Sequence, residues 1–231
     1  MNRRRAMLAL GMLGGKAAPV VPWYLAGDIL PENCIAAYQA IGAADISASM
    51  VNLANPGTYD LTVPTGSPPT FNTATGWAST QASPKYWDTG ITPVYNTTSY
   101  IARFANGVNN ENWLLGICKN DFSKYFRCAP SRTTADQWGL EIGSLLVGTG
   151  EVSTGTIGYG TNCFINGVKV ANGARVSVSF TQSLWLMGVH REGTSAAHRD
   201  FEGNLLACAF YNIQLSDSIM SALHNAITTL P

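Results

Sequence analysis

The sequence predicts an all-β protein, two antiparallel sheets stacked as a sandwich, and three observations carry that prediction. Charged residues make up only 12% of the 231 residues and hydrophobic residues 46%, against roughly 25% charged in an ordinary soluble domain. Gly, Ser, Thr and Asn take the place of the missing charge, and these are the residues of turns and of uncharged strand faces. Hydrophobic alternation with period two recurs between turn signals, the pattern of strands with one buried face. An Asn-Gly pair, Asn166 and Gly167, separates two such runs, and both residues can take the positive φ of a tight hairpin turn. A chain of this length buries a sizeable core.

The elements follow in chain order. Residues 1–22, "MNRRRAMLALGMLGGKAAPVVP", join a basic start to a short apolar run from Ala6 to Leu13. The run is too short to span a bilayer. It has the outline of a secretory signal, but a lysine, Pro19 and Pro22 stand where a small-residue cleavage site belongs. We read residues 1–34 as an arm that docks on another surface, because "PVVPW" resists both helix and central strand. Arg3, Arg4, Arg5, Trp23 and Tyr24 are its assembly contacts. Residues 35–231 form the sandwich domain.

Within that domain "TSYIARFANG" sets Tyr100, Ala102 and Phe104 on one face and Ile101 and Arg103 on the other. "NCFINGVKV" is the hairpin around Asn166 and Gly167. "ARVSVSF" places Val176, Val178 and Phe180 on one face, and "SLWLMGV" is a continuous apolar run suited to an inner strand. "FEGNLLACAFYNIQL" is a closing strand. "SDSIMSALHNAI" then supplies an N-cap at Ser216, an acid at Asp217 and apolar positions Ile219, Met220, Leu223 and Ile227 at helical spacing. Leu215 and Met220 are placed for a hydrophobic staple. So short a helix must dock its stripe on the sandwich.

Formal charge is zero, yet Arg3, Arg4, Arg5 and Lys16 are the only charges in the first sixteen residues. Setting those four aside leaves ten basic against fourteen acidic groups, a net of about −4 for the body. A body of that sign has no electrostatic reason to hold a phosphate backbone, so nucleic-acid binding by the folded part is not expected. Five cysteines, Cys34, Cys118, Cys128, Cys163 and Cys208, form no CxxC pair and have no histidine at ligand spacing. Cys118 and Cys128 could meet across a hairpin, but the apolar settings favour reduced, buried thiols and a chain that matures in a reducing cytoplasm. No metal and no cofactor are expected.

The run "HREGTSAAHRDFEG", residues 190–203, concentrates two histidines, a serine, an aspartate and two glutamates. Between an inner strand ending at Val189 and a closing strand starting at Phe201, it reads as an exposed loop. Ser195, His198 and Asp200 are sequence neighbours with no Gly-x-Ser-x-Gly elbow, so no catalytic set is assigned. His190, Arg191 and His198 remain candidates for ligand contact, beside the plainer reading of a solvated surface. Sugar binding would use aromatic faces. Trp77, Tyr86, Trp87 and Trp113 are the candidates, and the same tryptophans would also suit the space between two sheets.

The closing "FEGNLLACAFYNIQLSDSIMSAL" resembles the last strand and helix of concanavalin A-like jelly rolls of the laminin-G-like kind. "FINGVKV" is similar to their Asn-Gly hairpin and "SLWLMGV" to the strand before the final loop. "IAAYQAIGAAD", "PTFNTATGWA", "KYWDTGI" and "TSYIARF" fit the opening strands, so the likeness runs from about Ile35 to Ile227. It implies a two-sheet jelly roll with a short C-terminal helix. Some members of that superfamily cut β-glucans with a Glu-x-Asp-x-x-Glu run, which sets acid and nucleophile about 5 Å apart. This chain has no such run, and Glu141 is an isolated strand carboxylate. No enzymatic activity is expected.

"PWYLAGDILPENCIAAYQAIGAA" with "VNLANPGTYDL" resembles the front end of proteins from tailed bacteriophages and prophages. That resemblance implies a virion structural or adhesion component of the tail or head surface, folded in the bacterial cytoplasm. It would bind other virion proteins through its arm and a host-surface glycan through its loops. A homo-oligomer, such as a trimer, suits that role. The alternatives are a lectin-like carbohydrate-binding module without catalysis and, for location, secretion.

Overall fold

The computed structural model describes residues 21–64, 66–80, 85–108, 113–131, 137–150, 152–195 and 197–231, with only the backbone path for 197–200. Arg3, Arg4 and Arg5 therefore lie outside the described residues. In chain order the elements begin with β1 Cys34–Gln39, the short helix α1 Ile46–Met50, β2 Thr70–Asn72, β3 Gly76–Ser79, β4 Trp87–Asp88 and β5 Ser99–Ala105. Next come β6 Leu115–Cys118, β7 Tyr125–Ala129, β8 Gln137–Ile142, β9 Leu145–Thr149, β10 Gly155–Tyr159, β11 Asn162–Ile165 and β12 Val168–Asn172. The chain closes with β13 Trp185–Leu186, β14 Gly188–Arg191, β15 Ala197–Asp200, β16 Gly203–Tyr211 and α2 Asp217–Thr228.

Among the described residues these strands form two eight-stranded sheets. The first runs β12-β11-β10-β5-β16-β3-β2, with β1 beside β16 at Ala207–Tyr211 and β3 beside it at Gly203–Leu205. The second runs β15-β14-β6-β7-β8-β9, with β13 paired to β6 and β4 to β13. Strand pairings are antiparallel except that of β6 with β14, which is parallel. The sandwich read from composition and alternation is the one observed.

Alternation explains the core. Tyr100, Ala102 and Phe104 of β5 face the interior with Trp77, Trp87, Phe126, Leu140, Ile157 and Phe210 from both sheets. Fully burying a side chain of Leu or Phe size stabilises by about 1.5–3 kcal/mol. Ile101 points the other way, into a second cluster with Phe164, Ala209 and Tyr211 that is covered by Met220, Leu223 and Ile227 of α2. The Ser216 hydroxyl accepts from the Ile219 N–H at 3.4 Å, so this helix starts where its cap predicts. At its other end Arg103 donates to the Ile227 and Leu230 carbonyls at 3.2 and 2.8 Å, placing a cation against the negative end of the helix dipole.

The predicted hairpin turn also forms, with φ of 50° at Asn166 and 74° at Gly167. Gly167 is required twice: a Cβ there would stand 2.4 Å from the His224 ring of α2.

Three readings are corrected. Trp23 and Tyr24 are not free arm contacts. Trp23 is only 9% exposed within the α2 cluster, and Tyr24 donates from its hydroxyl to the Leu53 carbonyl at 2.9 Å while its own carbonyl accepts from Tyr211 at 3.0 Å. Their apolar surface is satisfied inside the chain, so the folded body begins before residue 35. "ARVSVSF" forms isolated bridges at Arg175 and Ser179 in place of a strand. Val178 and Phe180 do turn inward, but Val176 is 39% exposed. Arg175 fixes the path by donating to the carbonyls of Tyr95, Thr98 and Gly160, which ties the segment across one end of the sandwich. "SLWLMGV" is broken at Met187, where φ is 64°, into β13 and β14.

All five cysteines are free and buried. Cys118 lies opposite Tyr125, and Cys128 opposite Leu115, with their side chains in different clusters. Burial pushes the thiols of Cys34, Cys128 and Cys163 up to about 12 and that of Cys118 to about 11, so none is a thiolate at neutral pH.

Candidate functional site

Trp77, Trp87 and Trp113 are at most 1% exposed, which corrects their assignment to a sugar-stacking surface. Trp77 and Trp87 occupy inward strand positions and meet edge to face at 5.7 Å, with the Trp77 indole N–H donating to the Ser49 hydroxyl at 2.9 Å. Trp113 is on the outer face of the second sheet, covered by its own neighbours. Tyr86 is half-buried and lies parallel to Trp185 at 4.4 Å; the other face of Trp185 stacks on His190 at 4.1 Å. The ring nitrogens of His190 meet the Ser183 and Thr194 carbonyls at 2.6 and 3.2 Å.

His190 is thus 5% exposed and structural, which corrects its place on an open loop. The reason is that β14 runs on through Arg191 and β15 pairs back against it, making residues 188–200 a hairpin. The His198 side chain lies outside the described residues. Arg191 alone of the histidine–arginine candidates is described as accessible, and it leads to a pocket.

That pocket, about 800 Å³, opens at the end of the second sheet and is lined by Lys119, Asn120, Asp121, Lys124, Ser179 and Arg191 among others. Its floor is the turn joining β6 to β7. The Lys119 and Phe122 N–H groups donate to the Lys124 and Lys119 carbonyls at 2.9 Å each, and φ at Phe122 is 58°. The parallel pairing of β14 with β6 sets Arg191 opposite Cys118 and so beside that turn. Arg191 Nε donates to the Asn120 carbonyl at 3.0 Å, and its guanidinium lies over the Phe122 ring at 4.4 Å.

The charges divide into engaged and open. Lys119 Nζ meets Glu192 at 2.8 Å and lies 5.4 Å from the centre of the Phe180 ring. Burial disfavours the Glu192 carboxylate, but Lys119 and the Thr181 N–H and hydroxyl outweigh it and hold its carboxyl below the usual range. Asp121 accepts from the Ser123 N–H at 3.0 Å, and Ser123 keeps it below the usual range too. Lys124 donates to the Gly143 carbonyl at 3.3 Å. Among the described residues neither Lys124 nor Arg191 has a carboxylate within ion-pair distance.

Behind the pocket the outer face of the second sheet continues as a ladder of rings and guanidinium. Phe122 stacks on Tyr125 at 6.5 Å, and the Arg127 guanidinium lies 3.4 Å from the centre of Tyr125 and 3.6 Å from that of Trp113. Arg127 Nε and Nη2 both donate to Glu141 Oε2, at 3.0 and 2.9 Å. Glu141 is therefore not isolated: a cation stands beside it. Among the described residues no group of three or more His, Cys, Asp or Glu side chains could hold a metal, and no helix is long and apolar enough to cross a membrane.

Sequence reasoning found Arg191 but missed Lys119, Asn120, Asp121 and Lys124. The one local signal was "KNDFSK", a polar run between two apolar strands.

No family model and no curated protein matches this chain. Solved structures do. Domain 4 of AbnA, a GH43 extracellular arabinanase from Geobacillus stearothermophilus in complex with arabinotriose, superposes with a TM-score of 0.55 at 15% identity, covering 83% of this chain and 98% of that one. A Trypanosoma rangeli sialidase in complex with sialic acid gives 0.58 at 12% identity over 86% of this chain and 33% of that one. The botulinum neurotoxin serotype D binding domain gives 0.52 at 12% identity over 87% and 52%. The fold is a concanavalin A-like jelly roll. This chain spans nearly all of the arabinanase domain, a third of the sialidase and about half of the toxin binding-domain chain.

Proposed function

We propose that this chain is a carbohydrate-binding module that works by recognition and breaks no bond. The observation that carries the reading is the pocket around Arg191. It gathers an amide, hydroxyls and cations that can meet sugar hydroxyls, with Phe122 and Phe180 behind the cations. The structural likeness supports it, since the arabinanase domain that this chain covers almost end to end is in complex with arabinotriose, and the toxin domain is itself a binding domain. The sequence holds no Glu-x-Asp-x-x-Glu run, which supports the absence of hydrolysis.

A broad glycan array followed by titration calorimetry tests this. Wild-type protein is expected to bind at least one oligosaccharide, and Asn120→Ala to weaken it several-fold, because the substitution removes the side-chain amide while keeping the Asn120 carbonyl that holds Arg191. Incubation with polysaccharides should release no reducing ends. Silence across the array, or turnover abolished by Glu141→Gln, overturns the reading. Where the module works is a separate proposal, that of a phage virion surface, which rests on the front-end resemblance; mass spectrometry of purified particles tests it.

A further inference from the structure

Resting on the binding reading above, we infer that the pocket selects saccharides carrying a carboxylate, with Lys124 and Arg191 as the anion-holding residues. The charges that line the pocket do not balance. The lining contains three cations, Lys119, Lys124 and Arg191, and two carboxylates, Asp121 and Glu192. Lys119 and Glu192 neutralise each other at 2.8 Å. Asp121 is turned into its own loop by the Ser123 N–H. That leaves Lys124 and Arg191 facing the space without a carboxylate partner among the described residues.

The sign of the pocket is also opposite to that of the molecule around it. Beyond the first sixteen residues the chain carries ten basic and fourteen acidic groups, so a positive opening is a local exception. Positive potential confined to a concave, low-dielectric surface raises the local concentration of anions. Arg191 is held ready to receive one. Its Nε is fixed on the Asn120 carbonyl and its plane on the Phe122 ring, so little side-chain freedom remains to be lost when its outer edge meets a planar carboxylate, the geometry that guanidinium matches with two parallel hydrogen bonds. Among the described residues the Lys124 ammonium makes one hydrogen bond, to the Gly143 carbonyl, and an ammonium has three donors to give. A neutral sugar would leave both cations without a counter-charge, and a polyanion such as nucleic acid would meet the negative body.

The test compares each acidic sugar with its own neutral form, trigalacturonic acid and 3′-sialyllactose each with its methyl ester, by calorimetry on the full chain. At least one acid is expected to bind ten-fold or more tightly than its neutral counterpart, with affinity falling as salt rises from about 0.01 to about 0.3 M. Lys124→Gln and Arg191→Gln should each weaken the acid more than its neutral form, so that the preference for the acid falls several-fold. Asp121→Asn keeps the turn's acceptor but removes a like charge, and should tighten the acid about two-fold; lost packing would not produce that sign. Equal affinity for acid and neutral forms, or insensitivity to all three substitutions, overturns the inference while leaving sugar binding intact. No binding of any sugar overturns both.

Discussion

The two sheets treat their outer faces in opposite ways. The first sheet turns Ala37, Ile101, Phe164 and Ala209 outward and seals them under Met220, Leu223, Ile227 and Trp23. The second sheet turns out Cys118, Tyr125, Arg127 and Glu141, and its cover is made by the sheet's own rings and charges, ending in an open polar pocket. One face is closed by apolar area, a non-directional force that tolerates no ligand. The other is closed by directional pairs, which can stop short and leave donors for something else. Stability and recognition are therefore assigned to different sides of one sandwich, and substitutions on the two sides should separate them.

The largest effect belongs to the sealed face. Leu223 is fully buried on the inner face of α2, and Leu223→Ala removes buried methyl groups and leaves a cavity, a change that costs about 2–5 kcal/mol. Chemical denaturation should show a lower midpoint, while sugar affinity of the protein that remains folded stays at the wild-type value. Loss of affinity in proportion to stability would mean that the two faces are not independent.

The sealed face was also the more legible in sequence, and the reason is range. Ser216, Asp217 and the stripe from Ile219 to Ile227 lie within twelve residues, and the turn at Asn166 and Gly167 is a two-residue signal. The pocket unites Lys119–Lys124 with Arg191, some seventy residues on, through the parallel pairing of Ile117 and Cys118 with His190 and Arg191. Such a pairing leaves no periodic trace in either segment. Alternation also states that a strand has two faces without stating which is covered, so Trp113 on an outer face and Trp77 on an inner one look alike although both are buried. Asn52 was invisible for a related reason. It is fully buried, accepts from the Ala37 and Ala54 N–H groups and donates to the Ile35 and Thr58 carbonyls, and nothing local marks it apart from any loop asparagine.

Next in size is the charge pair on the second face. Glu141→Ala leaves Arg127 buried between Trp113 and Tyr125 without its carboxylate, and breaking such a pair costs about 3 kcal/mol. Replacing both partners, Arg127→Met with Glu141→Leu, should restore most of that loss, because two apolar side chains need no counter-charge. Thermal unfolding of the single and double variants distinguishes these outcomes. A double variant as unstable as the single one would show that the ladder requires a guanidinium between its rings, and that the second face is held by stacking more than by charge.

The smallest effect separates the faces by pH. On the sealed side the His224 ring packs against Gly167 and meets the Thr156 hydroxyl at 2.8 Å, and burial lowers its pKa below the ordinary value. A group with a lower pKa in the folded state binds more protons when unfolded, so stability is full above the ordinary imidazole range and falls as pH drops through it toward the folded value. On the open side Glu192 is also lowered, held by Lys119 and Thr181 against the cost of burial. Its contribution is full above the ordinary carboxylate range and is lost only as pH falls further, through its own folded value. Stability measured against pH should therefore decline in two steps, with His224→Gln removing the first and Glu192→Gln the second. If Glu192→Gln flattened the imidazole step, the two faces would be coupled through the core between them, and the division of labour described here would fail.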